Sequence, residues 1–281
     1  MTSAFVARDV ACKTATGQVY DYGAHVTAWQ PRSEQPVIWT PQPVQVVEGR
    51  AIRGGIPVCF PWFGDGPNGD STPKHGHARL SRWLLVDSFL DEQAGEHQLT
   101  YKLTPKRMGD EDGQPFTAIL QITFGRELDQ ALTVTNDSDE DFSFEEALHP
   151  YIAVGDVEKV DVLGLDEDMY LDCTQPDATA YRQDLGLTFD GNTVDRIYRS
   201  TAPITIEDPN NARRIVIRKE NSKNTVVWNP GIEGCRGSAD LAEGDWKRFV
   251  CVETVNCRSN IITLAPGESH TMRHTISVEH L

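Results

Sequence analysis

Apolar and polar residues alternate with a period of two along most of this chain, the pattern of half-buried β-strands. The run Leu132-Thr133-Val134-Thr135-Asn136 alternates cleanly and ends in the polar turn Asp137-Ser138-Asp139-Glu140-Asp141. Phe142-Ser143-Phe144 then restarts the pattern, which predicts a hairpin. Further strands are predicted at Gln18–Tyr22, Leu84–Phe89, Gln98–Leu103, Thr117–Phe124, Lys159–Val162, Ile204–Glu207, Arg214–Arg218, Thr225–Trp228, Phe249–Val255 and Thr271–Val278. Gly, Asn and Asp break the runs, as they do between antiparallel strands. Helical periodicity is confined to a short stretch around Asp240–Lys247. No fixed repeat or low-complexity linker marks a boundary. The pattern predicts an all-β chain, one large antiparallel β-sandwich over residues 1–281, whose packed sheets would hide their strand edges.

Composition narrows what such a sandwich could do. Apolar residues make up 39% of the 281, enough for a real core. No apolar run approaches the roughly 20 residues of a membrane helix. The N-terminus lacks a basic region followed by a long apolar stretch, so no secretory signal is expected and the cytoplasm is the default. The six cysteines form no C-x-x-C pair and are expected to be reduced, mostly small core residues. A net charge of −16 argues against nucleic acid or an anionic membrane as partner. One region runs the other way. Between Arg50 and Trp83, Arg50, Arg53, Lys74, Arg79 and Arg82 stand against only Asp65 and Asp70. A local positive spot on an acidic chain suits a small anionic ligand, though scattered surface charge would look the same.

Five segments could carry chemistry. Residues 49–67, GRAIRGGIPVCFPWFGDGP, are too rich in Gly and Pro for a regular strand. Gly54-Gly55 would permit positive φ or close approach of a ligand. Lys74-His75-Gly76-His77-Ala78-Arg79 crowds imidazoles and cations together. His75 and His77 lack the further ligands of a metal site, so none is predicted. His149 follows a strand and precedes Pro150, which favours extended backbone. In Phe249–Val255, alternation places Glu253 on one face with Phe249, Cys251 and Val255, in a strand apolar on both sides. A carboxylate there costs several kcal/mol unless it is paired or hydrated, and a base with a tuned pKa is one reason to tolerate that. Asp195, in Asp195-Arg196-Ile197-Tyr198, could accept hydrogen bonds from hydroxyls or simply cap a turn.

Taken in order, these segments resemble one family, the hexose-6-phosphate mutarotases or glucose-6-phosphate 1-epimerases, related to the galactose mutarotases. The likeness rests on R-A-I-R-G-G-I-P-V-C-F-P-W-F-G at 50–64, H-G-H-A-R at 75–79 and L-H-P-Y at 148–151. It continues through V-G-D-V-E-K-V at 154–160, D-R-I-Y at 195–198, V-V-W-N-P-G at 226–231 and F-V-C-V-E-T at 249–254. It implies a supersandwich with a groove on one sheet, His149 as general acid and Glu253 as general base. Asp195 and His75 would line the sugar site, Arg53 and Arg79 would hold the phosphate, and Lys74 falls at a ligand contact. The chain departs from the family at His77, where an aromatic is usual, and at Pro150, where Thr is common. These departures bear on sugar-ring packing and on the loop carrying His149.

The implied reaction opens the hexose ring, rotates the bond from C1 to C2, and recloses on the other carbonyl face. It needs a proton delivered to the ring oxygen and one removed from the anomeric hydroxyl. A histidinium and a carboxylate on opposite sides of C1 would supply both, with no cofactor. The expected partner is a small sugar phosphate, and the expected state a monomer. The alternatives are a mutarotase for unphosphorylated hexoses, a catalytically silent sugar-phosphate-binding protein, and a carbohydrate-cleaving enzyme that would pair Glu253 with a second carboxylate.

Overall fold

A computed structural model describes residues 5–110, 113–175 and 179–281. Two antiparallel sheets of eight strands face each other, as the alternation predicts. Seven strands of the first follow the order Ala180–Arg182, Met169–Asp172, Val194–Tyr198, Asn224–Asn229, Phe249–Asn256, Glu146–Leu148, Val58–Cys59, and Tyr151–Ala153 also pairs with Phe249–Asn256. The second runs Asp161–Leu163, Ile204–Asp208, Arg213–Glu220, Ser269–His280, Leu128–Asn136, Phe116–Phe124, Glu96–Leu103, Leu84–Asp91. A three-stranded sheet (Ala7–Ala11, Ala15–Tyr20, His25–Pro31) packs alongside.

The core lies where the inward-facing residues of both sheets meet. Leu120, Ile122, Leu132 and Val134 from one sheet join Leu148, Val227, Val250 and Val252 from the other, all buried. Each such side chain contributes about 1.5–3 kcal/mol on leaving water. The opposite face of the first sheet carries smaller apolar clusters, one around Val226, Ile197 and Val255, another around Tyr151, Phe249 and Cys251. That outer face holds the groove described below.

The predicted hairpin does not form. Leu128–Asn136 pairs with Phe116–Phe124 and Ser269–His280, whereas Phe142–Phe144 pairs with Ile262–Leu264 in a separate two-stranded sheet. Asn136 redirects the chain: its Nδ2 donates to the carbonyls of Glu140 and Leu264, and its Oδ1 accepts from Ser138. Phe142 and Phe144 are thereby delivered onto Phe60. Alternation reports which face is buried but not which strand is the partner, so the turn chemistry decides.

Two shorter differences have local causes. Asp156 caps a 3-10 turn at Val157–Lys159, so the strand expected from Lys159 begins at Asp161. The helical stretch at Asp240–Lys247 is only a 3-10 turn, Asp245–Arg248, while Gly231–Arg236 forms an α-helix that periodicity did not predict. Among the described residues, no helix is long and apolar enough to cross a membrane.

Candidate active site

His149 and Glu253 meet because of register. Leu148 pairs with Thr254 and Tyr151 with Cys251, so His149 stands directly across the ladder from Glu253. The ladder is interrupted between those pairs because Pro150 has no N–H to donate. The backbone N–H of His149 donates instead to the Pro57 carbonyl, at 3.1 Å. Its Nε2 lies 3.2 Å from Glu253 Oε1. The two are therefore side by side, not on opposite sides of a space.

The same registers extend the floor of the groove. Glu253 is followed across the sheet by Val226, Ile197 and Leu171, and Tyr151 by Cys251, Trp228 and Asp195. Period-two alternation turns both rows outward, away from the core. His149 stacks on Tyr151 with ring centroids 5.1 Å apart and planes at 11°. Half-buried Trp228 offers the groove an apolar plane.

The walls come from the two Gly-rich segments. Gly55 has φ +69°, and a Cβ there would sit 2.3 Å from His25 Nε2 and 2.4 Å from the Val26 carbonyl oxygen. Gly76, at φ +76°, would clash with the Phe60 carbonyl at 2.2 Å. Only glycine lets these loops approach the neighbouring chain so closely. Their neighbours Arg53, Lys74, His75 and Arg79 are thereby held over the floor. Together with His149, Glu253 and Asp195 they line one cavity of about 650 Å³. Every residue assigned from the resemblance thus lies in one place.

Electrostatically the cavity disfavours charge on its buried groups. Burial, reinforced by Arg79, pushes the His149 imidazole down to about 3. Burial, reinforced by Asp195, pushes the Glu253 carboxyl well above its usual range. Both shifts favour a proton on the carboxyl over one on the imidazole, and at 3.2 Å the two groups titrate as a coupled pair. His75 is also held low by burial and Arg79, hence neutral. Its Nδ1 accepts the Gly64 N–H at 3.2 Å, which leaves its own proton on Nε2. Burial raises Asp195.

The arginines are partly committed. Arg53 donates from Nη1 to Tyr151 Oη at 2.9 Å and from Nη2 to Asp240 at 3.0 Å. Arg79 donates from Nη2 to the Lys74 carbonyl at 2.5 Å. In each the Nε–H is buried with no partner. Glu253 Oε2 and His149 Nδ1 are likewise unpartnered. Buried polar atoms normally have partners, so orphans gathered in one cavity point to a ligand that satisfies them.

His77 and Pro150 leave these groups in place. His77 packs edge-on against Trp62, 5.2 Å between centroids, and is absent from the cavity lining. Sequence reasoning missed three participants. Trp228, Arg258 and Glu145 line the cavity, and Glu145 ties the first Gly-rich wall to the turn at Arg258. The Glu145 carboxylate accepts the backbone N–H of Phe63 at 3.0 Å and of Arg258 at 2.6 Å. Trp228 was legible in principle, because it falls in phase with Val226 along Thr225–Trp228. Among the described residues no group of three His, Cys, Asp or Glu is placed to hold a metal.

An antiparallel supersandwich with a buried histidine–glutamate pair on the floor of an open, polar groove has the form of an enzyme for a small, polar substrate. Residues 12–277 match the model of the aldose 1-epimerase family, and the chain belongs to that family, whose members are isomerases of sugar anomers. It is 33% identical over 237 residues to a "putative glucose-6-phosphate 1-epimerase" of Escherichia coli strain K12, covering 83% of this chain and 76% of that one. A "putative glucose-6-phosphate 1-epimerase" of Cenchrus ciliaris is 28% identical over 282 residues, 94% of this chain and 82% of the other. The crystal structure of a "putative mutarotase" from Salmonella typhimurium superposes with a TM-score of 0.89 at 28% identity, covering 100% of this chain and 92% of that one.

Proposed function

We propose that this epimerase acts in the cytoplasm on hexose 6-phosphates, glucose 6-phosphate foremost, with His149 as general acid and Glu253 as general base. The unpaired state of all six cysteines suits that compartment. In a pyranose the ring oxygen and the anomeric hydroxyl are both bonded to C1, so acid and base must be neighbours, as His149 and Glu253 are. His149 protonates the ring oxygen while Glu253 removes the anomeric proton, and the bond from C1 to the ring oxygen breaks. Rotation about C1–C2 and reversal of both transfers give the other anomer. The proton lost by His149 is matched by the one gained by Glu253, so one shared proton serves both directions.

The observation that carries the phosphate is the pair of orphaned Nε–H donors on Arg53 and Arg79. The ring oxygen is bonded to C5 as well as C1, and the phosphorylated C6 hangs from C5. A phosphate therefore projects close to the residue that protonates the ring oxygen, in the cavity that Arg53 and Arg79 line together with His149. Asp195, Lys74 and the Nε2–H of His75 are left for hydroxyls. The names of the curated relatives support the same choice. The test is kcat/KM for anomer exchange, followed by NMR, on glucose 6-phosphate, glucose and galactose. A wild type that turns over free hexose as well as the phosphate would refute the assignment.

A further inference from the structure

We propose that an anion held between Arg53 and Arg79 belongs to the acid catalyst itself, so that a separate dianion in that place accelerates exchange of a free hexose. This rests on the phosphate reading above and extends it from binding to the chemical step.

The reason lies in the surroundings of His149. To deliver a proton the imidazole must carry a charge in a position only 7% exposed. Glu253, 3.2 Å away, favours that charge only while it keeps its own, and in the same step it must take a proton. The facing cations oppose it throughout. Arg53 cannot swing away: Asp240 and Tyr151 hold its two terminal nitrogens, and the Tyr151 ring lies stacked on the imidazole. Arg79 is anchored through the Lys74 carbonyl. Both guanidiniums are fixed cations beside a group that must become a cation, in surroundings where burial weakens screening.

A phosphate that accepts the two free Nε–H donors brings its own negative charge to that spot. It offsets the guanidiniums and lets the imidazolium form. The ring then opens with the electron pair of the broken C1–O bond left on the ring oxygen, which takes the His149 proton. The O–H electrons of the anomeric hydroxyl complete the carbonyl, and its proton passes to Glu253. Free hexose enters the same groove and meets the same pair, but with the cations unopposed. Discrimination for the phosphorylated sugar then falls on kcat as well as on KM.

The experiment supplies the substrate in two pieces. Exchange of free glucose is followed by NMR with wild-type enzyme and increasing phosphite, subtracting the enzyme-free rate at each concentration because dianions catalyse mutarotation as general bases. Phosphite is also tried as an inhibitor of glucose 6-phosphate turnover. The expected result is competition with glucose 6-phosphate together with a saturable rise in the glucose rate of about tenfold or more, the change in protonated fraction that one pKa unit gives. Arg79→Ala and Arg53→Ala should each abolish the rise. If phosphite competes yet leaves the glucose rate flat or lowers it, the anion site exists but only binds, and this inference falls alone. Activation that persists in both arginine variants places the dianion elsewhere and also overturns it. If phosphite neither competes nor activates, this inference falls, and if the wild type also fails to prefer glucose 6-phosphate, the phosphate reading falls with it.

Discussion

His149 and Glu253 occupy directly opposed positions on adjacent antiparallel strands, with Nε2 and Oε1 3.2 Å apart and both residues buried. In the proposed mechanism one proton passes between the two by way of the substrate, so removing either disables the same step. His149→Ala and Glu253→Gln should each lower anomer exchange by about 10²-fold or more with the fold retained. The double variant should be little worse than the more damaged single, since groups acting as one unit are strongly non-additive. Fully additive losses would mean that the two act in separate steps.

The pH profile follows from the same burial. His149 is pushed down to about 3 and Glu253 well above its ordinary range. The pair gains a second proton only as pH falls towards 3, and gives up its last one well above the ordinary carboxylate range. kcat/KM should therefore show no acid limb near the ordinary histidine value of about 6.5. An acid limb centred there would show His149 titrating as an exposed imidazole, contrary to its position in the sheet.

Stability should fall with acid for a related reason that reaches beyond the groove. Burial lowers His25 to about 4 and His274 to about 3, as it does His149. Between these values and about 6.5 the unfolded chain binds protons that the folded one does not. The stability these neutral histidines permit is fully present above about pH 6.5 and is lost as pH falls towards 3. Urea midpoints from neutral to mildly acid pH should decline, and His274→Gln, far from the groove, should flatten part of the decline. His274 donates only to Gln130, at 3.0 Å, so its effect is separable from catalysis.

Alternation alone placed Glu253 on the same face as Cys251 and made the second sheet legible, because those strands are buried on alternate residues. It could not pair Glu253 with His149, which lies 104 positions earlier beside a proline that breaks the ladder. Only the motif resemblance linked them. Phe142–Phe144 was assigned the wrong partner because its pattern matches any strand, while the deciding contacts belong to Asn136. Arg258 left no periodic trace: it sits at φ 55° just past a strand, held by a carboxylate more than a hundred residues away.

That carboxylate yields its own prediction. Glu145 accepts one backbone N–H from the first Gly-rich wall, at Phe63, and one from the turn at Arg258. Hydrogen bonds to a charged group are worth about 1.5–3 kcal/mol each. Glu145→Ala should lower unfolding free energy by about 3–6 kcal/mol and raise KM, with Glu145→Gln intermediate. Loss of stability with unaltered KM would show that Phe63 and Arg258 do not depend on Glu145 for their places.

Arg53 and Arg79 offer the sharpest test of substrate class, because each lines the groove, is tied to the protein through terminal nitrogens and keeps a buried Nε–H with no partner. The chain carries a net charge of −16 and repels a sugar phosphate at long range, so attraction must come from directed local donors. Losing one charge-assisted contact costs about 1.5–3 kcal/mol, or roughly 10- to 150-fold in affinity. Arg53→Ala and Arg79→Ala should raise KM for glucose 6-phosphate by about that factor, with no matching loss on free glucose. Arg79→Lys should restore only part, since an ammonium keeps the charge but cannot span from the Lys74 carbonyl to the phosphate as a planar guanidinium does. The measurement is kcat/KM for both sugars in wild type and the three variants. Equal losses on the two sugars would show that these arginines hold the ring or the loops, and the substrate would then be a free hexose.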